Sequence, residues 1–331
     1  SGSFMNALQA SLLFGQAAGD HWLDGLLNHL ALQFPEGSFL NQAFNLRAML
    51  ALAFVALACG SVGSLVVGNR MAFFSDALAH CAFAGVSLGY VLFEFFLLGI
   101  RPKEEFWQWV TPIMVVFGVS VGAGIAYVRS QTGLASDTVI GVFFAFSLGF
   151  AAMLKNIIND RSVFSLEDFL FGDPLFVSSP EIIYIALLAV VSWVFLCFFF
   201  NSLVFSSFNT SLALSRKFHV TLLYYLFVMM LALIVNLCLR YVGVLLINAL
   251  LIVPAATAFN LGKNIRAVFW ITVMLSLFVC LGGLGASWEL QVRTGVRFGV
   301  SGTIVMLSVM LFFISMLVSK SLLGRVSSSK S

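Results

Sequence analysis

From Arg47 onward the chain is a succession of apolar runs separated by short polar punctuation. A helix needs about 20 apolar residues to cross the hydrocarbon core of a bilayer, and these runs have that length. They fall at 47–69, 74–98, 108–128, 138–157, 181–203, 219–239, 241–261, 266–286 and 299–319, predicting nine spanning helices. Asp76 and His80 near the start of the second run, with Gly85 and Gly89 beyond them, leave its boundary open and the count at eight to nine. The runs do not alternate apolar with polar positions as the strands of a membrane barrel do. Small residues recur instead at helical spacing, in "GSVGS" (60–64) and "GVSVGAG" (118–124), where they let helix backbones approach closely. The pattern predicts an all-α fold, a polytopic membrane helical bundle.

The segment ahead of the first run behaves differently. "LLFGQAAGDHWLDGLLNHLALQF" carries Asp20, His21, Asp24 and His29 in an apolar background. It is too polar to span and amphipathic enough to lie along a membrane interface. His21 and His29 share a helix face there, so a plain interfacial helix and a metal-collecting patch are both open readings. Ser1 to Phe4, ahead of Met5, read as a cloning remnant. The expected division is an N-terminal extension over 1–44, a transmembrane domain over 45–320 and a polar cytoplasmic tail over 321–331.

Composition agrees with this solvent. The chain is 61% hydrophobic and 9% charged, with a mean hydropathy of +1.04, whereas soluble domains are about 45–50% apolar and 25% charged. Charges this scarce mark loops or function. The net charge of +3 comes without a basic run, so nucleic acid is not an expected partner. The five cysteines all lie in apolar runs without a CxxC spacing and read as small hydrophobes.

Several enzyme readings fall away. "GVSLG" (85–89) and "GVSVG" (118–122) match the hydrolase pattern GxSxG, but that motif works on a strand-to-helix turn, and both copies lie in predicted helices. HExxH is absent, and so is GxxxxGK[ST], so neither a zinc protease of that type nor ATP binding by a Walker loop is expected. Asp137 opens the fourth run, where a carboxylate caps free N–H groups and favours the helix dipole. His219 opens the sixth run and reads as a membrane-surface residue, and Pro254 is expected to kink the seventh.

"SDALAHCAFAG" (75–85) remains the anomaly. An ionisable side chain in a spanning helix is costly and faces a bundle interior or an aqueous path. Asp76 and His80, four apart, point from one helix face. A carboxylate oxygen and an imidazole nitrogen suit zinc or manganese. The alternative is an Asp-to-His hydrogen bond between packed helices.

At this point four stretches, in order, resemble the zinc and manganese ABC transporter permeases of the ABC-3 family. "FNLRAMLALAFVALACGSVGSLVVGNRMAFFSDALAHCAFAGVSLGY" (44–90) matches that family's opening, with its "GS", "RM" and Gly-Asp-Ala-Leu-Ser-His signature. "SDTVIGVFFAFSLGF" (136–150), "LEDFLFGDPLFVSSPEI" (166–182) and "YVGVLLINALLIVPAATA" (241–258) match its later segments. Ser75 and Ala79 replace a glycine and a serine of the signature and leave Asp76 and His80 in place.

The resemblance implies a vitamin B12-importer-like (type II) ABC permease architecture and an importer of zinc, manganese or iron. The metal is the transported substrate, with no permanently bound cofactor. Implied partners are a second copy of the chain, separate ABC ATPase subunits, an extracytoplasmic metal-binding protein and the lipid bilayer. "FNTSLALSRKFHV" (208–220) corresponds to the ATPase-docking loop, with Ser211, Ala213, Arg216 and Lys217 at its working positions. Ser211 stands where the family has an acid and Lys217 where it has a glycine.

A cytoplasmic docking loop after five helices puts the N-terminus outside a bacterial plasma (inner) membrane and the C-terminus in the cytoplasm. That orientation gives nine Lys and Arg residues inside and eight outside, a small bias in the expected sense. The competing functions are an ion-coupled secondary transporter using Asp76 as a proton site and an intramembrane hydrolase built on Ser87 or Ser120.

Overall fold

No water is available inside a bilayer to bond exposed N–H and C=O groups, so a spanning segment must satisfy its own backbone. This chain does so with helices. The structure, a computed structural model, describes residues 22–35, 38–97, 106–155, 172–208, 220–296 and 298–328. These form ten α-helices and two short 3-10 turns, with no strand among the described residues. The helices are α1 (Trp22–Ala31), α2 (Ala43–Gly68), α3 (Phe74–Leu97), α4 (Phe106–Thr132), α5 (Ser136–Lys155), α6 (Ser179–Phe208), α7 (Val220–Val242), α8 (Val244–Leu261), α9 (Ile265–Thr294) and α10 (Val300–Ser328). By length and composition α2 to α10 can each cross a membrane.

Of the boundaries that differ from the hydropathy reading, two are tied to an ion pair. α2 begins at Ala43 and takes Arg47 into its second turn, because the guanidinium is paired with Asp24 of α1 at 3.0 Å. α9 continues to Thr294, past the predicted end at 286. Its polar last turns are held by an Arg293–Glu289 pair at 2.6 Å, an i,i+4 contact that supports a helix after the apolar run has ended.

The core is arranged around α2, which packs against α6, α8 and α9 and is largely buried. The small residues of "GSVGS" explain how. A Cβ on Gly63 would lie 2.8 Å from the Leu251 carbonyl oxygen, and one on Gly60 2.9 Å from Ser276 Oγ and 3.2 Å from Val273 Cα. α4 and α7 meet in the same way, with Gly118 leaving room for the Asn236 side chain and Gly122 for Ala232. An aromatic cluster closes α6 on α9, with Trp193 5.9 Å from both Phe269 and Trp270 and Phe200 4.9 Å from Phe269. α5 and α10 leave most of their surface exposed and form the periphery.

The break between α7 and α8 is a single residue. Gly243 has φ 82° and ψ 160°, a region essentially reserved for glycine. Gly172, at φ 46°, is pressed onto the backbone of Val242 and Gly243. Ser301 of α10 closes this junction, donating to the Gly172 carbonyl at 3.1 Å and lying 3.4 Å from that of Val242. The surrounding cavity, of about 970 Å³, is lined by Asp173, Glu181, Arg240 and Leu290 among others.

α1 does not join the bundle as a span. Leu27 and Ala31 pack on Leu46, Met49 and Leu50, and Asp24 also accepts from the Ser179 hydroxyl at 2.5 Å. Leu26 and Leu30 remain exposed beside this contact. His29 is exposed too, while His21 lies outside the described residues.

Candidate metal site

Asp76 lies in the first turn of α3, where a carboxylate meets free N–H groups and the positive end of the helix dipole. It is half-buried. Its Oδ1 accepts a hydrogen bond from Asn248 Nδ2 of α8 at 3.0 Å. The bond ties the first turn of α3 to a residue one turn into α8.

His80, one turn further along α3, is also half-buried. Its ring stands edge-on to Phe144 of α5, with centroids 4.9 Å apart at 87°. Asp76 is thus bonded to Asn248, not to His80, and the Asp-to-His packing bond that the spacing allowed is not the arrangement found. The same face continues through Ala84 and Ser87, both buried.

α3 is held firmly enough to carry such a pair. Cys81 Sγ lies 2.7 Å from Ser147 Oγ of α5. Further along the helix a Cβ at Gly85 or Gly89 would come within 2.8 Å of Phe117 or Ile113 of α4. Two oxygens around the pair lack hydrogen-bond partners among the described residues: Asn248 Oδ1 and Ser75 Oγ, both buried. Such orphans are costly in a low-dielectric interior.

Among the described residues no group of three or more His, Cys, Asp and Glu could hold a metal ion. One chain therefore offers Asp76 and His80 as a pair and no closed site of that kind. All five cysteines are free, and four of them are buried.

The other sequence candidates divide. Ser87 and Ser120 donate to the carbonyls of Phe83 and Val116, one turn back in their own helices, so both GxSxG copies are helical packing positions. Asp137 is exposed within the first turn of α5, two residues past the position that would cap it. Ser211, Ala213, Arg216, Lys217 and His219 lie outside the described residues.

The comparison with known proteins bears directly on this arrangement. The model of the ABC 3 transport family matches residues 41–319. The chain belongs to the ABC 3 transport family. Its matched region contains all nine candidate spans and the Asp76–His80 pair.

Among similar members of known name, the manganese transport system membrane protein MntC of Listeria monocytogenes is 26% identical over 279 residues, covering 84% of this chain and 94% of that protein. The high-affinity zinc uptake system membrane protein ZnuB of Haemophilus influenzae is 26% identical over 237 residues, covering 72% and 85%. Two solved structures share the fold. PsaBC from Streptococcus pneumoniae, in complex with Fab, has a TM-score of 0.64 at 24% identity, with 82% of this chain and 90% of that one covered. An inward-facing metal-chelate-type ABC transporter has a TM-score of 0.64 at 15% identity, covering 92% and 98%. This family member is accordingly an ABC-transporter membrane bundle.

Asn248 is the residue that reading the sequence passed over. Its signal is there in "VGVLLINALLIVPAATA", where it is the one carboxamide in an otherwise apolar run. A buried amide needs a partner, and the partner lies 172 positions earlier in the chain.

Proposed function

We propose that this chain is the membrane-spanning permease subunit of an ATP-binding-cassette importer for a divalent transition metal, manganese or zinc. Family membership and relatives named for manganese and zinc transport support the reading. The observation that carries it is the Asp76–His80 pair, half-buried in the first two turns of a candidate membrane span. Nothing in a plain scaffold calls for an ionisable pair in such a span.

In this reading an extracytoplasmic binding protein delivers the ion, and separate ATPase subunits dock on the loop carrying Ser211, Ala213, Arg216 and Lys217. Two copies of the chain form the pathway. Asp76 and His80 from each copy then supply two carboxylates and two imidazoles, where one chain alone falls short of the four ligands of a structural zinc site or the usual three of a catalytic one. A site assembled from two chains can also be taken apart again, which suits a substrate that has to leave. The chain sits in a bacterial plasma membrane with its N-terminus outside and its C-terminus in the cytoplasm.

The test is metal uptake by the importer reconstituted with its ATPase and binding protein. Asp76→Asn and His80→Ala each abolish uptake while the permease still copurifies with the ATPase. Uptake at the wild-type rate by both variants would overturn the assignment.

A further inference from the structure

We propose that Asn248 is a third donor to the transported ion and that it biases the path towards manganese. The inference rests on the importer reading above and names the substrate that reading leaves open between two metals.

The argument starts from the two ends of the Asn248 amide. Nδ2 is engaged, donating to Asp76 Oδ1 at 3.0 Å. Oδ1 is buried and has no partner among the described residues. Nothing at the oxygen end therefore holds the amide in its present sense, and a half-turn about the terminal torsion exchanges the two ends within nearly the same volume. With nitrogen forward, the amide neutralises part of the Asp76 charge when no cation is present. With oxygen forward, it offers a neutral carbonyl donor beside the same carboxylate. A cation at Asp76 repels the N–H groups and attracts the carbonyl, so the ion itself favours the turn.

Donor count then separates the metals. Asp76 and His80 from two chains make four donors, the number and type that suit tetrahedral zinc. Adding Asn248 from each chain makes six, four of them oxygen. Oxygen-rich, octahedral surroundings suit manganese, whereas zinc gains little from a fifth or sixth weak donor. The carboxamide adds no charge, so it raises the coordination number at a smaller cost to release than a further carboxylate would. Because α8 springs from the Gly243 junction one turn before Asn248, any movement of that junction also carries the donor towards or away from Asp76.

The experiment uses the complete importer in proteoliposomes supplied with manganese(II) and zinc(II) together, and reads the ratio of the two metals taken up. Both metals are measured in the same vesicles, so a lower yield of assembled variant cancels from the ratio. Asn248→Leu, close in shape but without donors, lowers the manganese-to-zinc ratio by about tenfold or more, the loss that removing a metal-supporting side chain commonly causes. Asn248→Ser, a smaller replacement less prone to disturb packing, lowers it in the same direction. Asn248→Asp, which keeps an oxygen and loses the amide hydrogens, holds the ratio near that of the wild type.

An unchanged ratio in the Leu and Ser variants overturns the proposal. So does an Asp variant as poor as Leu, since that result makes the amide hydrogens the working part. Asp76→Asn is run alongside. If it is inactive while the Leu variant keeps the wild-type ratio, only the role of Asn248 falls. If it transports both metals normally, or the wild type moves neither, the importer reading itself fails and this proposal with it.

Discussion

At the scale of single residues, the structure turns on positions where a side chain has no room or a polar atom has one partner. Gly243 is the first kind. Its φ of 82° and ψ of 160° cost a non-glycine residue about 1–3 kcal/mol. Gly243→Ala is therefore expected to lower the thermal midpoint of the purified protein in detergent, and an unchanged midpoint would show that the junction relaxes freely. Gly118 is a second case, because its bare backbone accommodates the buried Asn236 side chain. Asp76 and His80 stand out in the sequence because ionisable groups are rare in apolar runs. Asn248 was less legible, since a single amide in such a run gains meaning only once its partner is known.

At the scale of elements, helices are easy to read and their attachments are not. Nine runs of sufficient length correspond to nine helices because a bilayer leaves the backbone no other open-ended choice. What α1 does could not be read from its own residues. Its apolar arc is split between contact with α2 and exposure, and its Asp24 joins α2 to α6 through Arg47 and Ser179. The two side chains of the Asp24–Arg47 pair are 18% and 22% exposed. That places the pair between exposed ones worth under about 1 kcal/mol and buried ones whose rupture costs about 3–5.

Asp24→Ala should thus destabilise the docking of α1 by about 1–2 kcal/mol on that scale, seen as faster proteolytic cutting between α1 and α2 with the bundle left intact. Equal cutting rates in the variant and the parent would mean that Leu27 and Ala31 alone hold α1. The proposed topology has its own check at the loop between α6 and α7. A cysteine placed at Ser211, with the five native cysteines replaced, should resist a membrane-impermeant thiol reagent applied to intact cells. Efficient labelling from outside would reverse the orientation.

At the scale of the whole molecule, the proposed importer makes the chain one part of a machine. It carries no GxxxxGK[ST] loop, so under that proposal a separate subunit supplies the energy. The rigorously purified chain is expected to show no ATP hydrolysis above background, with turnover appearing only after a separate ATPase subunit is added. Turnover by the single chain would remove the basis for calling it a permease subunit. In the same proposal the two ionisable ligands of one chain, Asp76 and His80, are joined by those of a second copy.

The sequence by itself determined the solvent, the helical class, the number of spans to within one and the presence of an acid and an imidazole on one helix face. Each follows from local facts: apolar length, the self-sufficiency of a helix in lipid, and the 3.6-residue repeat that brings positions four apart together. Only the tertiary structure decided which helices touch, that Gly60 and Gly63 serve α8 and α9, that α1 clasps two spans, and that Asp76 meets Asn248 in place of His80. Lipid tails are as apolar as the helix surfaces, so hydrophobicity cannot choose partners among spans. The choice falls to close packing at small residues and to the few polar groups that must find one another across the bundle.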